Sequence, residues 1–137
     1  MERTIFDGLP LPPVSRLLGW KLVAVDPAAG TICVEFLANA DLANPSGYIQ
    51  GGMIAAMLHD TLGPAVFATS GGRRTSATID LQLHYIRPAR PGRVTTTARV
   101  ISLGSRVAFV EGHLFDSEGR LSATATASAM LTDHQAG

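Results

Sequence analysis

The stretch QGGMIAAMLHDTLGP carries the residues of this chain that could do chemistry. Gly51 and Gly52 open an apolar segment that contains no ionisable group until His59 and Asp60 occur side by side. A neutral imidazole accepts a proton from water near neutral pH, which makes His59 a candidate general base. Free N–H groups at the start of a helix suit an oxygen that develops negative charge, and glycine lets a substrate approach the backbone closely.

The bulk composition of the chain limits the classes of function. The 137 residues predict one domain, and Lys plus Arg and Asp plus Glu number 11 each, so no net charge favours nucleic acid or an anionic membrane as a partner. Charged residues make up 16% and apolar residues 46% of the chain, which indicates that part of the surface is buried in an oligomer. The single cysteine, Cys33, excludes an internal disulfide and a multi-cysteine metal site.

The sequence gives no sign of export or of a membrane span. The start MERTIFDGLP has charged residues and no apolar core region, and no apolar run approaches the length that a bilayer requires, so we expect a cytoplasmic protein. No G-x-S-x-G motif, phosphate-binding loop or zinc-ligand spacing occurs. We therefore expect neither a metal nor a cofactor.

The elements that must position these residues follow from hydrophobic periodicity. A short helix is predicted from VSRLLGW, ending near Gly19, and two strands joined by a tight turn from WKLVAVD and TICVEFL. Residues 38–50 form a polar loop that is long for a connection. Residues 51–67 are apolar on every side, which predicts a buried helix, and Pro64 should end or kink it.

The remainder of the chain alternates with period two. In TSATIDLQLHYIRP the alternation places Thr78 and Asp80 on the face opposite Ile79 and Leu81. Four long strands in series with short turns predict an antiparallel sheet. Together with the two earlier strands and the single helix, the pattern predicts an α+β protein, a curved antiparallel sheet wrapped around one central helix. We expect one domain over residues 1–137, with residues 1–18 peripheral.

Three motifs, taken in their order and spacing, resemble those of one known family. They are Asn44-x-x-Gly47-x-x-Gln50-Gly51-Gly52, Tyr85-x-Arg87-Pro88-Ala89 and Gly104-x-x-x-Ala108-Phe109. The chain resembles the hot-dog-fold acyl-CoA thioesterases of the phenylacetate-degradation (PaaI-like) type, from about Leu17 to Thr132. The resemblance implies the hot-dog fold, an acyl-CoA substrate at a dimer interface, and homodimers that often pair into homotetramers.

The resemblance also implies roles for individual residues. Asn44 would place the nucleophilic water or the thioester, the Gly51 N–H would polarise the thioester carbonyl, and Thr78 would orient the water. The family's base is an Asp or Glu on the same helix, supplied by the partner chain. The residues expected to bind substrate are Gln50, Gly52, Asp60, Arg87, Ser105 and Arg106.

The sequence departs from the family at the base itself. The position seven residues after Gly52, where the family has its carboxylate, is His59, and Asp60 follows it. A helix turns about 100° per residue, so Asp60 cannot replace its neighbour. His59 could activate water, but it could not form an anhydride as a carboxylate nucleophile could.

Structural alternatives stay open for several of these residues. Asn44 could make an Asx-turn, Asp60 is favoured as a structural residue, and Arg87 and Arg106 could be solvated charges or could bind the phosphates of CoA. The leading function is thioester hydrolysis with His59 as the base. The alternatives are other proton-transfer chemistry on an acyl thioester, such as dehydration or isomerisation, and acyl-CoA binding without catalysis.

Overall fold

The structure, a computed structural model, describes residues 2–135 and contains two helices and six strands in that range. The elements are α1 (Pro13–Leu18), β1 (Lys21–Asp26), β2 (Thr31–Ala38), α2 (Gly51–Thr69), β3 (Arg74–Tyr85), β4 (Gly92–Leu103), β5 (Val107–Phe115) and β6 (Leu121–Asp133). A 3-10 turn, Ala40–Leu42, lies in the long polar loop. None of the helices in residues 2–135 has the length and hydropathy needed to cross a bilayer.

The six strands form one sheet in the order β1-β2-β4-β5-β6-β3, and every neighbouring pair is antiparallel. β3 lies at one edge and pairs with β6, so residues 86–91 carry the chain across the sheet to β4 rather than forming a hairpin. The series of strands predicted from sequence is present. β3 precedes β4 in the chain, but in the sheet it pairs with β6 and not with β4.

The core lies between α2 and the concave face of the sheet, and α2 contacts all six strands. Met57 and Leu58 of α2 are fully buried, as are Val34 of β2 and Leu114 of β5. Because a helix that is apolar on every side must be surrounded, the sheet curves around it. The predicted α+β hot-dog architecture, with one central helix, is confirmed.

The central helix does not end at Pro64, which was one of the two predicted outcomes, because α2 continues to Thr69. Proline lacks the N–H that would bond to the carbonyl four residues earlier, which here belongs to Asp60. The indole Nε1–H of Trp20 donates to that carbonyl oxygen at 3.0 Å. A side chain from the start of the sheet thus replaces the missing helical hydrogen bond.

A bulge in β3 reverses part of the predicted alternation. Thr78 pairs with Ala129 and Asp80 pairs with the next residue of β6, Ser128, so Ile79 is the extra residue. Ala129 is buried on the concave face, and Thr78 therefore faces α2 rather than the side occupied by Asp80. The expectation that Thr78 and Asp80 share a face is wrong, because one inserted residue shifts the period of two.

Candidate active site

The N-terminus of α2 presents backbone donors. The Gln50 side chain caps the helix, since its Oε1 accepts from the Met53 N–H at 3.1 Å. Within residues 2–135, no acceptor is bonded to the N–H of Gly51 or Gly52. A Cβ on Gly52 would lie 2.7 Å from Gln50 Oε1, so a side chain there would displace the capping amide. Two adjacent N–H groups are thus available to an oxyanion.

Tyr85 fixes the first residue of this helix. Its hydroxyl donates to the Gly51 carbonyl oxygen at 2.8 Å, and a Cβ on Gly51 would lie 3.4 Å from the tyrosine ring. Sequence reasoning did not select Tyr85 as a site residue. The sequence feature that could have identified it is its position as the first residue of the motif Tyr85-x-Arg87-Pro88-Ala89.

Asn44 organises the loop in front of α2. Its Oδ1 accepts from the N–H groups of Ser46 at 3.0 Å and Tyr48 at 3.1 Å, which is the Asx-turn that the sequence allowed. The same loop is tied to the helix start by the Gln50 N–H, which donates to the Leu42 carbonyl. Both hydrogen bonds of the side chain use Oδ1, so any contact with a substrate falls to the Nδ2 amide, a donor.

His59 and Thr78 form a pair on the exposed side of the seam between α2 and β3. The distance from His59 Nε2 to Thr78 Oγ1 is 2.9 Å, and both residues are exposed. The hydrogen bond exists because the bulge at Ile79 turns Thr78 toward the helix. Depending on the tautomer, the imidazole donates to the hydroxyl, or the hydroxyl donates to the imidazole lone pair.

The helix N-terminus and His59 are too far apart in one chain to act on the same carbonyl. Gly51 and His59 are separated by eight residues of α2. At a rise of about 1.5 Å per residue, that is about 12 Å along the axis. A single thioester group cannot contact both of these groups of one chain.

Asp60 points away from this pair and toward the N-terminal segment. Its Oδ2 accepts from the Ser15 hydroxyl of α1 at 2.8 Å, and its backbone oxygen accepts from Trp20. Burial raises the pKa of the Asp60 carboxyl above its ordinary value, while the Ser15 hydroxyl and nearby His59 oppose the shift. Neither Ser15 nor Trp20 was selected from the sequence, which shows no motif linking residues so distant along the chain.

The remaining candidates lie toward the two ends of β3. Arg87 follows Tyr85 closely, near the start of α2, and its backbone bonds to Ser122. Ser105 and Arg106 lie in the exposed β4–β5 turn, where the Ser105 carbonyl accepts from Arg74 at the start of β3. Because β3 rises about 3.3 Å per residue, its two ends are roughly 36 Å apart. Arg87 and Arg106 of one chain therefore do not meet.

Comparison with solved structures identifies the architecture. The chain is 38% identical to the phenylacetic acid degradation-related protein of Ralstonia eutropha JMP134, with a TM-score of 0.84 and coverage of 90% of this chain and 93% of that one. The conserved protein PA5202 of Pseudomonas aeruginosa is 28% identical, with a TM-score of 0.80 and coverage of 89% and 95%.

A more distant structure shows the fold alone. The PaaI protein of the phenylacetic acid degradation operon of Escherichia coli is 17% identical, with a TM-score of 0.76 and coverage of 85% of this chain and 86% of that one. The family model of the thioesterase superfamily matches residues 46–123, more than half of the chain. That span runs from the Asn44 loop through α2 and β3 into β6, and so contains His59 and Thr78. The chain belongs to the thioesterase superfamily, with PaaI-like proteins of phenylacetic acid degradation among its structural neighbours.

Proposed function

We propose that the protein is an acyl-CoA thioesterase that hydrolyses a small acyl- or aryl-CoA thioester with His59 as the general base. The observation that carries the proposal is the His59–Thr78 pair at 2.9 Å, exposed to an incoming substrate. The free N–H groups at the start of α2 supply the second requirement, an electrophilic site for the carbonyl oxygen. Family membership supports the general reaction, which is hydrolysis of a thioester.

The proposed chemistry needs one water and one proton shuttle. A water that bonds to His59 Nε2 and Thr78 Oγ1 in place of their direct hydrogen bond gives a proton to the imidazole as its oxygen attacks the thioester carbon. The N–H groups of Gly51 and Gly52 bind the oxyanion of the tetrahedral intermediate. When the carbon–sulfur bond breaks, the imidazolium protonates the departing thiolate. The products are the carboxylic acid and CoA with a free thiol.

This chemistry requires a second copy of the chain. Because about 12 Å separates the two groups along one helix, His59 of one chain must act at the Gly51 N–H of the other. β3 is a sheet edge, and Ile79 on it is 58% exposed, so pairing of β3 with its copy would extend the sheet. An antiparallel pair would also bring Arg87 of one chain toward Arg106 of the other, where both could meet the phosphates of one CoA.

We predict that Ile79→Lys prevents dimerisation and lowers kcat/KM by at least tenfold, because it places a charge in the centre of the proposed interface. Sedimentation at micromolar concentration should show a dimer or larger assembly for the wild type and a monomer for this variant. Val23→Lys is the matched control, since Val23 is also an exposed β-branched residue at a bulge, on the opposite edge strand. A monomeric and fully active wild type would contradict the two-chain site.

A dimer of dimers is the proposed higher assembly. Phe109 of β5 and Met130 of β6 lie on the convex face and are 50% and 53% exposed. Large apolar side chains grouped on an otherwise solvated sheet face are typical of an interaction surface. This second surface does not overlap the β3 edge, so the two contacts can form together.

The test of the proposed function is hydrolysis of a panel of acyl-CoA thioesters of different size, followed by the appearance of free thiol. We expect turnover of at least one small acyl or aryl thioester, with the carboxylic acid and CoA in equal amounts. Binding of the thioesters without any release of thiol would instead favour an acyl-CoA binder. Loss of the acyl substrate without free thiol would indicate other chemistry at His59.

A further inference from the structure

A second feature of the molecule is a pocket of about 390 Å³ beneath the N-terminal segment. It lies between α2, the start of β3 and the chain leading into β1. Its volume is within the range of small-molecule sites. The lining residues that matter most are Phe6, Ser15, Trp20, Asp60, Gly63 and Phe67.

The pocket combines apolar walls with one carboxylate. Phe6 packs against Trp20 and Phe67, with ring centroids 5.7 and 6.0 Å apart. The titratable side chains that line the pocket are Asp60 and His134, and the His134 ring packs edge-on against Phe67. Among residues 2–135, no cation forms an ion pair with Asp60, and its one side-chain hydrogen bond comes from Ser15. A half-buried carboxylate against apolar walls is costly without a counter-ion, and a bound cation would offset that cost.

The pocket begins close to the proposed base. Gly63 lines it and lies one helical turn beyond His59, about 6 Å along the same face of α2. Ser76 also lines it and faces the same side of β3 as Thr78. A Cβ on Gly63 would meet only Ser76 Oγ, at 3.9 Å, so the missing side chain leaves the seam open.

We propose that this pocket receives the acyl group of the substrate, and that Asp60 selects an acyl group carrying an ammonium group at its far end. The inference rests on the proposed thioesterase function and specifies its substrate class. With the thioester carbonyl at His59, a bulky cyclic acyl group would pass Gly63 and lie among the aromatic rings. Its ammonium group would donate to the Asp60 carboxylate, a charge-assisted hydrogen bond.

Three CoA thioesters of equal size test the selection: 4-amino-, 4-hydroxy- and 4-methylcyclohexanecarbonyl-CoA. We expect kcat/KM to fall in that order, with about a tenfold to hundredfold advantage of amino over methyl, the usual effect of a charged hydrogen bond. Asp60→Asn should reduce this ratio to near one. Asp26→Asn, in the distant β1–β2 turn, should leave it unchanged. A hydroxyl compound equal to or better than the amino compound, or a ratio unaffected by Asp60→Asn, overturns the proposal.

Trp20 supplies a readout that does not depend on turnover, because it is the only tryptophan of the chain and lines the pocket. The non-hydrolysable amide analogue of 4-aminocyclohexanecarbonyl-CoA should change its emission, while CoA alone should not. Gly63→Leu should abolish the change by filling the pocket. If the protein hydrolyses thioesters but shows no change in Trp20 emission and no preference for the amino compound, the pocket proposal is wrong and the proposed function stands. An emission change in a protein that hydrolyses nothing would reject the proposed function instead.

A stability measurement shows whether Asp60→Asn folds. Burial raises the folded-state pKa of the Asp60 carboxyl, so the native state binds this proton more tightly than the unfolded chain. The stabilisation that this proton gives the folded protein is fully present below the pKa of the carboxyl in the unfolded chain. It is lost as pH rises through the pKa of the carboxyl in the folded protein. Asn cannot ionise, so Tm of Asp60→Asn relative to wild type should be higher at pH 7 than at acid pH. If the difference in Tm between Asp60→Asn and the wild type did not change with pH, the ionised Asp60 carboxylate would not destabilise the folded protein.

Discussion

We expect His59→Ala to lower kcat/KM for the best thioester of the panel by about 10²–10⁴-fold, the range for removal of a general base. The reason is the proposed role of the imidazole as the base, beside a Thr78 hydroxyl that lies 2.9 Å from it and would orient the attacking water. The loss should be mainly in kcat, since the base acts on the transition state rather than on binding.

His59→Asp is the informative companion of the alanine variant. It places a carboxylate at the position where the family has one, seven residues after the second glycine. We expect this variant to keep or exceed wild-type activity.

The matched control for both variants is His113→Ala, since His113 lies on the interior strand β5, opposite Thr97 and Thr124, away from α2 and from the β3 edge. Its activity should equal that of the wild type. If His59→Ala is also unchanged and His59→Asp adds nothing, His59 is a packing residue and the site assignment fails.

Gly51→Val is expected to lower kcat/KM by as much as 10²–10³-fold, the usual effect of losing an oxyanion donor. The valine keeps the N–H but covers the approach to it, because its branched side chain must share the space beside Tyr85. Gly51→Ala should give an intermediate loss, since one methyl group fits at 3.4 Å from the ring. Circular dichroism and Tm should show that both variants fold.

Tyr85→Phe separates this steric effect from a disturbance of the tyrosine. It removes the hydroxyl that donates to the Gly51 carbonyl while leaving the ring in place. We expect a smaller loss than for Gly51→Val. Undiminished turnover of Gly51→Val would remove Gly51 from the site, and an equal loss in Tyr85→Phe would assign the effect to that hydrogen bond.

Much of the fold was predictable, because the alternation with period two is long over β6 and because residues 51–67 are apolar on every side, as a buried helix requires. Candidate site residues were accessible because Asn44 and Gly51 occur in one motif and Thr78 lies on the strand that follows the helix. Their catalytic roles stay predictions. The structure adds that Thr78 and His59 are in hydrogen-bonding distance.

What the sequence could not show depends on contacts between distant residues. The bulge at Ile79 leaves no mark in the alternation, yet it decides which face Thr78 occupies. The hydrogen bond from Ser15 to Asp60 joins residues that are far apart in the chain. Residues 1–18 were expected to be peripheral, a domain prediction that stays untested. Within residues 2–18, Leu18 is fully buried and Phe6 lines the pocket.

The hydrogen bond from Trp20 to the Asp60 carbonyl constrains how this sequence can evolve. With Pro64 present, Trp20→Phe leaves that carbonyl without its donor, at a cost of about 1–3 kcal/mol. In a Pro64→Ala background the helix supplies its own N–H, and the same change should cost much less. The two positions should therefore be kept or lost together among homologous chains. In any lineage that acquired the pair, the tryptophan is expected to have come first and the proline after it.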